Sequence, residues 1–188
     1  MAADDMRYYE TFYAIHTDNW SNTFGSFGAS SDMLVKEYLN SGCSFTDTST
    51  ATDTNVFLYP HHIKKVYFIE GVIDGHITLA ASTSSSTVSE YRVTISKTED
   101  GNSAIADDTE LFTTGWITPH VELAWDSTYS IGEERVFPFW IDAWEAKKLV
   151  GTDRLYLKVE VRGSDTLVLY HSNDDTWQDI KITLPLRM

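Results

Sequence analysis

Leu155, Leu157, Val159 and Val161 alternate with Tyr156, Lys158, Glu160 and Arg162. A period of two puts one set on a buried face and the other on a wet face, so this segment predicts a β-strand. Tyr91, Val93 and Ile95 against Arg92, Thr94 and Ser96, and Ile180, Ile182 and Leu184 against Lys181 and Thr183, repeat the pattern. Less regular β-rich runs cover residues 7–15, 64–73, 76–81, 110–117, 121–125, 135–140 and 166–171, for about ten strands in all. Asp74-Gly75 between two such runs predicts a tight hairpin, and Glu99-Asp100-Gly101-Asn102 and Arg162-Gly163-Ser164-Asp165 predict further turns, so neighbouring strands are expected to pair in sequence. The Ser- and Thr-rich stretches 44–55 and 82–87 read as long surface loops.

Two short helices also enter the prediction. Asp142-Ala-Trp-Glu-Ala-Lys-Lys-Leu-Val150 carries its acids first and its lysines last, with Gly151 following, as the helix dipole and a glycine C-cap favour. Residues 31–40 offer a polar cap, then Leu34, Val35, Tyr38 and Leu39 on one helical face, with Gly42 beyond; a strand fits them equally. Many short strands, frequent turns and few helices predict an all-β chain. The expected architecture is a single domain over residues 1–188, a two-sheet antiparallel β-sandwich with jelly-roll topology.

Composition narrows the partners. The 188 residues carry 14 Lys and Arg against 28 Asp and Glu, a formal charge of −14. Binding to nucleic acid draws on counterions released by clustered cations, so nucleic acid is excluded as a partner, and an anionic membrane is excluded on the same ground. The charge is uneven: residues 99–134 carry nine acids and no base, while residues 135–188 carry eight of each. The acidic block reads as a solvated face, since it lacks the spaced Asp and closing Glu of an EF-hand loop. No apolar run approaches the roughly 18 residues of a spanning helix, and Met1-Ala-Ala-Asp-Asp5 has no export-signal pattern. A lone Cys43 excludes an internal disulfide or a cysteine zinc site.

Candidate chemistry is sparse. The sequence has no G-x-S-x-G elbow, no phosphate-binding glycine loop, no H-E-x-x-H and no cupin-type His-x-His, so no catalytic residue, cofactor or metal ligand is assigned. His16, His61, His62, His76, His120 and His171 are scattered, and the adjacent His61 and His62 would point to opposite faces of a strand. Asn19-Trp20-Ser21 matches the short glycosylation pattern and carries no weight. The aromatic residues stand out, with six Trp, ten Tyr and nine Phe. Their densest cluster is Val136, Phe137, Pro138, Phe139, Trp140 and Trp144. Pro138 cannot complete a sheet ladder, so this cluster is expected to form an edge that meets a neighbouring subunit.

The segment Arg135 to Ser164, RVFPFWIDAWEAKKLVGTDRLYLKVEVRGS, resembles in style the jelly-roll structural proteins of virus particles. The resemblance implies a non-enzymatic role. The first 35 residues contain one base, Arg7, against five acids, unlike the basic arms that line packaged genomes. That departure narrows the expectation to a decoration or cement protein on the outside of a phage capsid. Its expected partners are its own copies, as a homo-oligomer such as a trimer, and the major capsid protein or other particle proteins. A carbohydrate-binding or receptor-binding β-sandwich, using exposed Trp and Tyr as stacking platforms, is the alternative.

Overall fold

A computed structural model describes residues 7–16, 32–36, 53–59, 63–98, 108–165, 167–170 and 180–188. They form twelve strands and, among the described residues, no helix: β1 Arg7–His16, β2 Asp32–Val35, β3 Asp53–Leu58, β4 Tyr67–Ala81, β5 Thr87–Thr98, β6 Asp108–Thr113, β7 Ala124–Asp126, β8 Ile131–Glu133, β9 Arg135–Leu149, β10 Arg154–Ser164, β11 Leu167–Tyr170 and β12 Lys181–Arg187. The all-β expectation holds, and the sheets pack against each other as a β-sandwich.

In one layer β9 pairs with one edge of β4, whose other edge takes β11 and β12; β1 and β2 follow. The second layer runs β3-β10-β5-β6. The layers connect through a single parallel pair, Met33 with Leu58, and every other strand pairing is antiparallel. Inward side chains alternate along β9 as far as Ala143, while Thr78 to Ala81 of β4, Val93 to Ser96 of β5 and Leu155 to Leu157 of β10 are buried without alternation, so the positions expected to be wet at Thr94, Ser96 and Tyr156 are covered. Ile69, Ile73 and Ile77 of β4, Phe137, Phe139 and Ile141 of β9, and Val93, Ile95, Leu155, Leu157 and Val159 of β5 and β10 are all buried in one core cluster.

Three local expectations are corrected. Asp74-Gly75 makes no hairpin, because β4 runs unbroken through it. A Cβ on Gly75 would lie 2.2 Å from the Lys181 carbonyl oxygen on β12 and 2.6 Å from the Phe139 ring on β9. Glycine is there because three strands approach closely, and its freedom at positive φ is not what the site uses. The helix expected over 142–150 is the second half of β9. Dipole complementarity contributes about 0.3–1 kcal/mol, while continuing β9 along β4 seats Ile141, Ala143 and Leu149 in the core. Of the stretch 31–40, residues 32–35 form β2 and residues 37–40 lie outside the described residues. Residues 82–86 form a compact turn in place of a long loop, where Ser86 Oγ accepts from the Ser82 and Thr83 amides at 3.2 and 3.0 Å. The turn expected at 99–102 lies outside the described residues, as does the expected loop 44–55 up to residue 52, while residues 53–55 begin β3.

Sequential pairing holds for β1 with β2, β2 with β3, β5 with β6 and β7 with β8, and is overturned at the other connections. β9 and β10 are joined by a tight turn yet lie in opposite layers, β9 on β4 and β10 between β3 and β5. Asp153 builds that turn: its Oδ2 accepts from the Val150 amide at 2.8 Å and from Lys97 Nζ at 3.1 Å. Fully buried, this carboxylate ties the turn to β5 on the opposing layer.

Candidate functional site

The expected interface cluster splits along the pleat of β9. Val136, Pro138, Trp140 and Trp144 point outward, with Trp140 68% and Trp144 76% exposed. Phe137 and Phe139 point inward and are 2% exposed, so they belong to the core and cannot meet a partner. Alternation is the physical reason: consecutive strand residues face opposite sides of the sheet.

Among the described residues β9 has one strand neighbour, β4, so its other edge is open. Tyr91, on the opposing layer, donates its hydroxyl to the Pro138 carbonyl oxygen at 2.8 Å. Its ring meets Phe137 edge-on at 5.7 Å between centroids. The hydrogen bond shows that the Pro138 carbonyl faces away from β4. Backbone N and C=O of one strand residue lie on the same edge, so the missing N–H of Pro138 would also have faced outward, and the β4–β9 ladder loses nothing.

A groove of about 370 Å³ runs along this edge between β9 and the segment 114–121. Ile117 holds that segment in place by exchanging two backbone hydrogen bonds with Tyr91, at 2.9 and 2.8 Å. Tyr91, Ile117, Pro119, Val121, Val136, Phe137 and Trp140 give the groove an apolar lining, and His120 lies on it as well. Burial pushes the Tyr91 phenol up from its ordinary value, which keeps it a neutral donor. The sequence reading found the β9 half of this groove and missed the other half. The strand expected over 110–117 ends at Thr113, and it is the isolated bridge to Tyr91 that brings Ile117 to this groove.

A second constellation lies on the outer face of β5 and β10. The Arg92 and Arg162 guanidinium carbons sit 4.6 and 3.6 Å from the Trp116 ring centroid. Glu160 grips Arg92 with two hydrogen bonds of 2.7 Å, which with its charge raises the guanidinium pKa further, and Glu90 pairs with Arg162 at 3.1 Å. Every charge in this group is matched, so it clamps residues 114–121 onto the sheet.

Among the described residues no three His, Cys, Asp or Glu side chains gather to hold a metal ion. Ser86 bonds to the backbone, Thr94 to Thr113, Thr11 to Thr183 and Thr87 to Ser164. Of the acidic block, Glu110, Glu122 and Glu133 are exposed, and Glu99, Asp100 and Asp107 lie outside the described residues. So do Cys43, Asn19 to Ser21, His61, His62, His171, Trp20 and Trp177. Among the described residues no helix is long and apolar enough to cross a membrane.

No protein-family model matches the sequence, and no curated protein sequence does. Solved structures do match. A CocE/NonD family hydrolase from Staphylococcus aureus is similar with a TM-score of 0.60 and 13% identity, over 97% of this chain and 37% of the hydrolase. An aminopeptidase from a marine sediment Thaumarchaeota archaeon is similar with a TM-score of 0.56 and 9% identity, over the same shares. At this identity the likeness shows a shared fold. The chain spans about a third of the length of the proteins it matches. The expectation of a protein with no enzymatic character is corrected by this finding, because the structures that share its fold are hydrolases.

Proposed function

We propose that this chain is the β-sandwich unit of a hydrolase, with peptides as its substrate class, and that the β9 groove receives an apolar group of the substrate. The observation that carries this reading is the fold likeness, which takes in nearly all of this chain and a consistent third of the hydrolases. The groove suits the role: its 370 Å³ and its Trp140, Tyr91 and Val136 walls match an aromatic or branched side chain or a short acyl group. The Ser86, Thr94 and Thr11 hydroxyls are taken up by bonds to the backbone or to other hydroxyls, and this reading draws its bond-breaking groups from outside the described residues. Titration with phenylalaninamide and with phenyl butyrate tests it, followed by Trp fluorescence. A saturable blue shift that disappears in Val136→Arg is expected. No saturable change up to about 10 mM with either probe would overturn the reading.

A place on the outside of a virus particle is a second proposal, favoured by the exposed Trp140 and Trp144. Co-sedimentation with purified shells would support it, and absence of binding to any shell would remove it.

A further inference from the structure

We propose that the open edge of β9 pairs antiparallel with the same strand of a second copy, in the register that sets Trp144 opposite itself. The inference rests on the strand's edge chemistry and is independent of the hydrolase reading.

Side-chain direction and backbone direction coincide on this strand as far as Ala143, beyond which Trp144, Glu145 and Ala146 are all exposed. The Pro138 carbonyl faces the open edge, so by the two-residue repeat Trp140, Asp142 and Trp144 also present their N–H and C=O groups there. At the irregularity in the pairing with β4, Gly71 opposes Ala143 and Ile69 opposes Lys147. Two residues of β4 thus span four of β9, and Ala146 and Lys148 keep the same direction. Five residues therefore offer unpaired donors and acceptors, whereas Pro138 offers no donor and confines pairing to 140–148.

Charge selects both the occupant and the register. The chain carries −14, yet β9 has three bases, Arg135, Lys147 and Lys148, against two acids, Asp142 and Glu145. Two acidic copies repel least when they meet there. Asp142 and the aromatic rings lie toward the N-terminal part of the pairing stretch, and Lys148 lies at its C-terminal end. An antiparallel partner brings unlike parts together. With Trp144 opposite Trp144, each Lys148 falls opposite Trp140 of the other copy and one diagonal step, about 7–8 Å, from its Asp142. Other positions of the dyad remove this match. Centring on Asp142 sets that acid against itself, and centring on Glu145 does the same with Glu145. The chosen register forms about ten backbone hydrogen bonds and joins the two outer layers into one sheet.

The test is sedimentation velocity and light scattering of the full chain across about 1–100 µM. A dimer is expected, weakened at least about tenfold by Lys148→Asp or Asp142→Lys and restored in the double exchange. Both side chains are exposed, so the fold should survive either change. In a Cys43→Ser background, Trp144→Cys should oxidise to a covalent dimer, because directly opposed strand residues lie within disulfide reach. A monomer throughout, a trimer, or failure of the introduced thiol to cross-link would overturn the proposal. A null result in the groove titration would leave it untouched.

Discussion

Gly75→Ala is the substitution that most directly probes how the first layer is built. An alanine methyl at this position meets the Lys181 carbonyl oxygen at 2.2 Å on one side and the Phe139 ring at 2.6 Å on the other. Real methyl groups need more than 3 Å, and neither obstacle is the free end of a flexible side chain. One is backbone of β12, and the other is a ring that is 2% exposed in the core. Relief requires moving β12 or β9 off β4, so the cost belongs at the upper end of overpacking, at least about 3 kcal/mol. At about 2–4 °C per kcal/mol for a chain of this size, the midpoint should fall by about 6–12 °C. Asp74→Thr is the matched control. Its side chain is exposed on a continuous strand, so threonine should change stability by no more than about 0.5 kcal/mol. A hairpin turn at these residues would reverse the outcome. Threonine would be forced to positive φ at about 1–2 kcal/mol, and alanine at 75 would cost only about 1 kcal/mol. Urea denaturation of the two variants settles it. A small loss for Gly75→Ala with a large one for Asp74→Thr would refute a continuous β4.

Tyr91→Phe keeps the ring against Phe137 and removes the hydroxyl bond to Pro138, so it should cost about 1 kcal/mol by urea denaturation, while Tyr91→Ala should cost about 3–5 kcal/mol. Burial raises the Tyr91 pKa in the folded state. Its contribution is therefore complete below the ordinary tyrosine value of about 10 and declines as pH climbs from there through the folded value. Tyr91→Phe should flatten that part of the alkaline unfolding curve. Lys97→Met leaves the fully buried Asp153 carboxylate without its ion pair and should cost about 3 kcal/mol; Lys147→Met, which frees a well-exposed Glu145, should leave the urea midpoint essentially unchanged. Trp116→Ala removes the face shared by Arg92 and Arg162, and faster amide exchange should appear at Ile117, whose N–H donates to Tyr91.

Local pattern carried the strand inventory because the period of two is written in consecutive residues and survives into the fold wherever one face is buried. β1, β5, β10, β11 and β12 lie where alternation puts them. It failed where a local signal had a second meaning. Asp74-Gly75 is a turn signature only if nothing else requires a residue without a side chain, and the crowding between Lys181 and Phe139 was invisible from the sequence. Acids preceding lysines over 142–148 resemble a helix, yet the same residues also continue the inward row Phe137, Phe139 and Ile141. The candidate site was half legible. An apolar run interrupted by Pro138 correctly announced an edge strand, but treating the run as one patch ignored the pleat that sends Phe137 and Phe139 into the core.

Sequence alone determined that this protein is all-β, which residues of β5, β10 and β12 lie on the core side, and where its negative charge is concentrated, because these follow from neighbours one or two positions apart. Tertiary structure decided who pairs with whom. β1 lies against β12 with Arg7 opposite Arg187, and β4 takes β9 on one edge and β11 and β12 on the other. Such partners are chosen by closing two apolar faces over one core, a condition on the whole chain that no turn signal encodes. Among the described residues the same closure leaves one edge of β9 without a strand partner, with a proline turned harmlessly outward and two exposed tryptophans beside the groove.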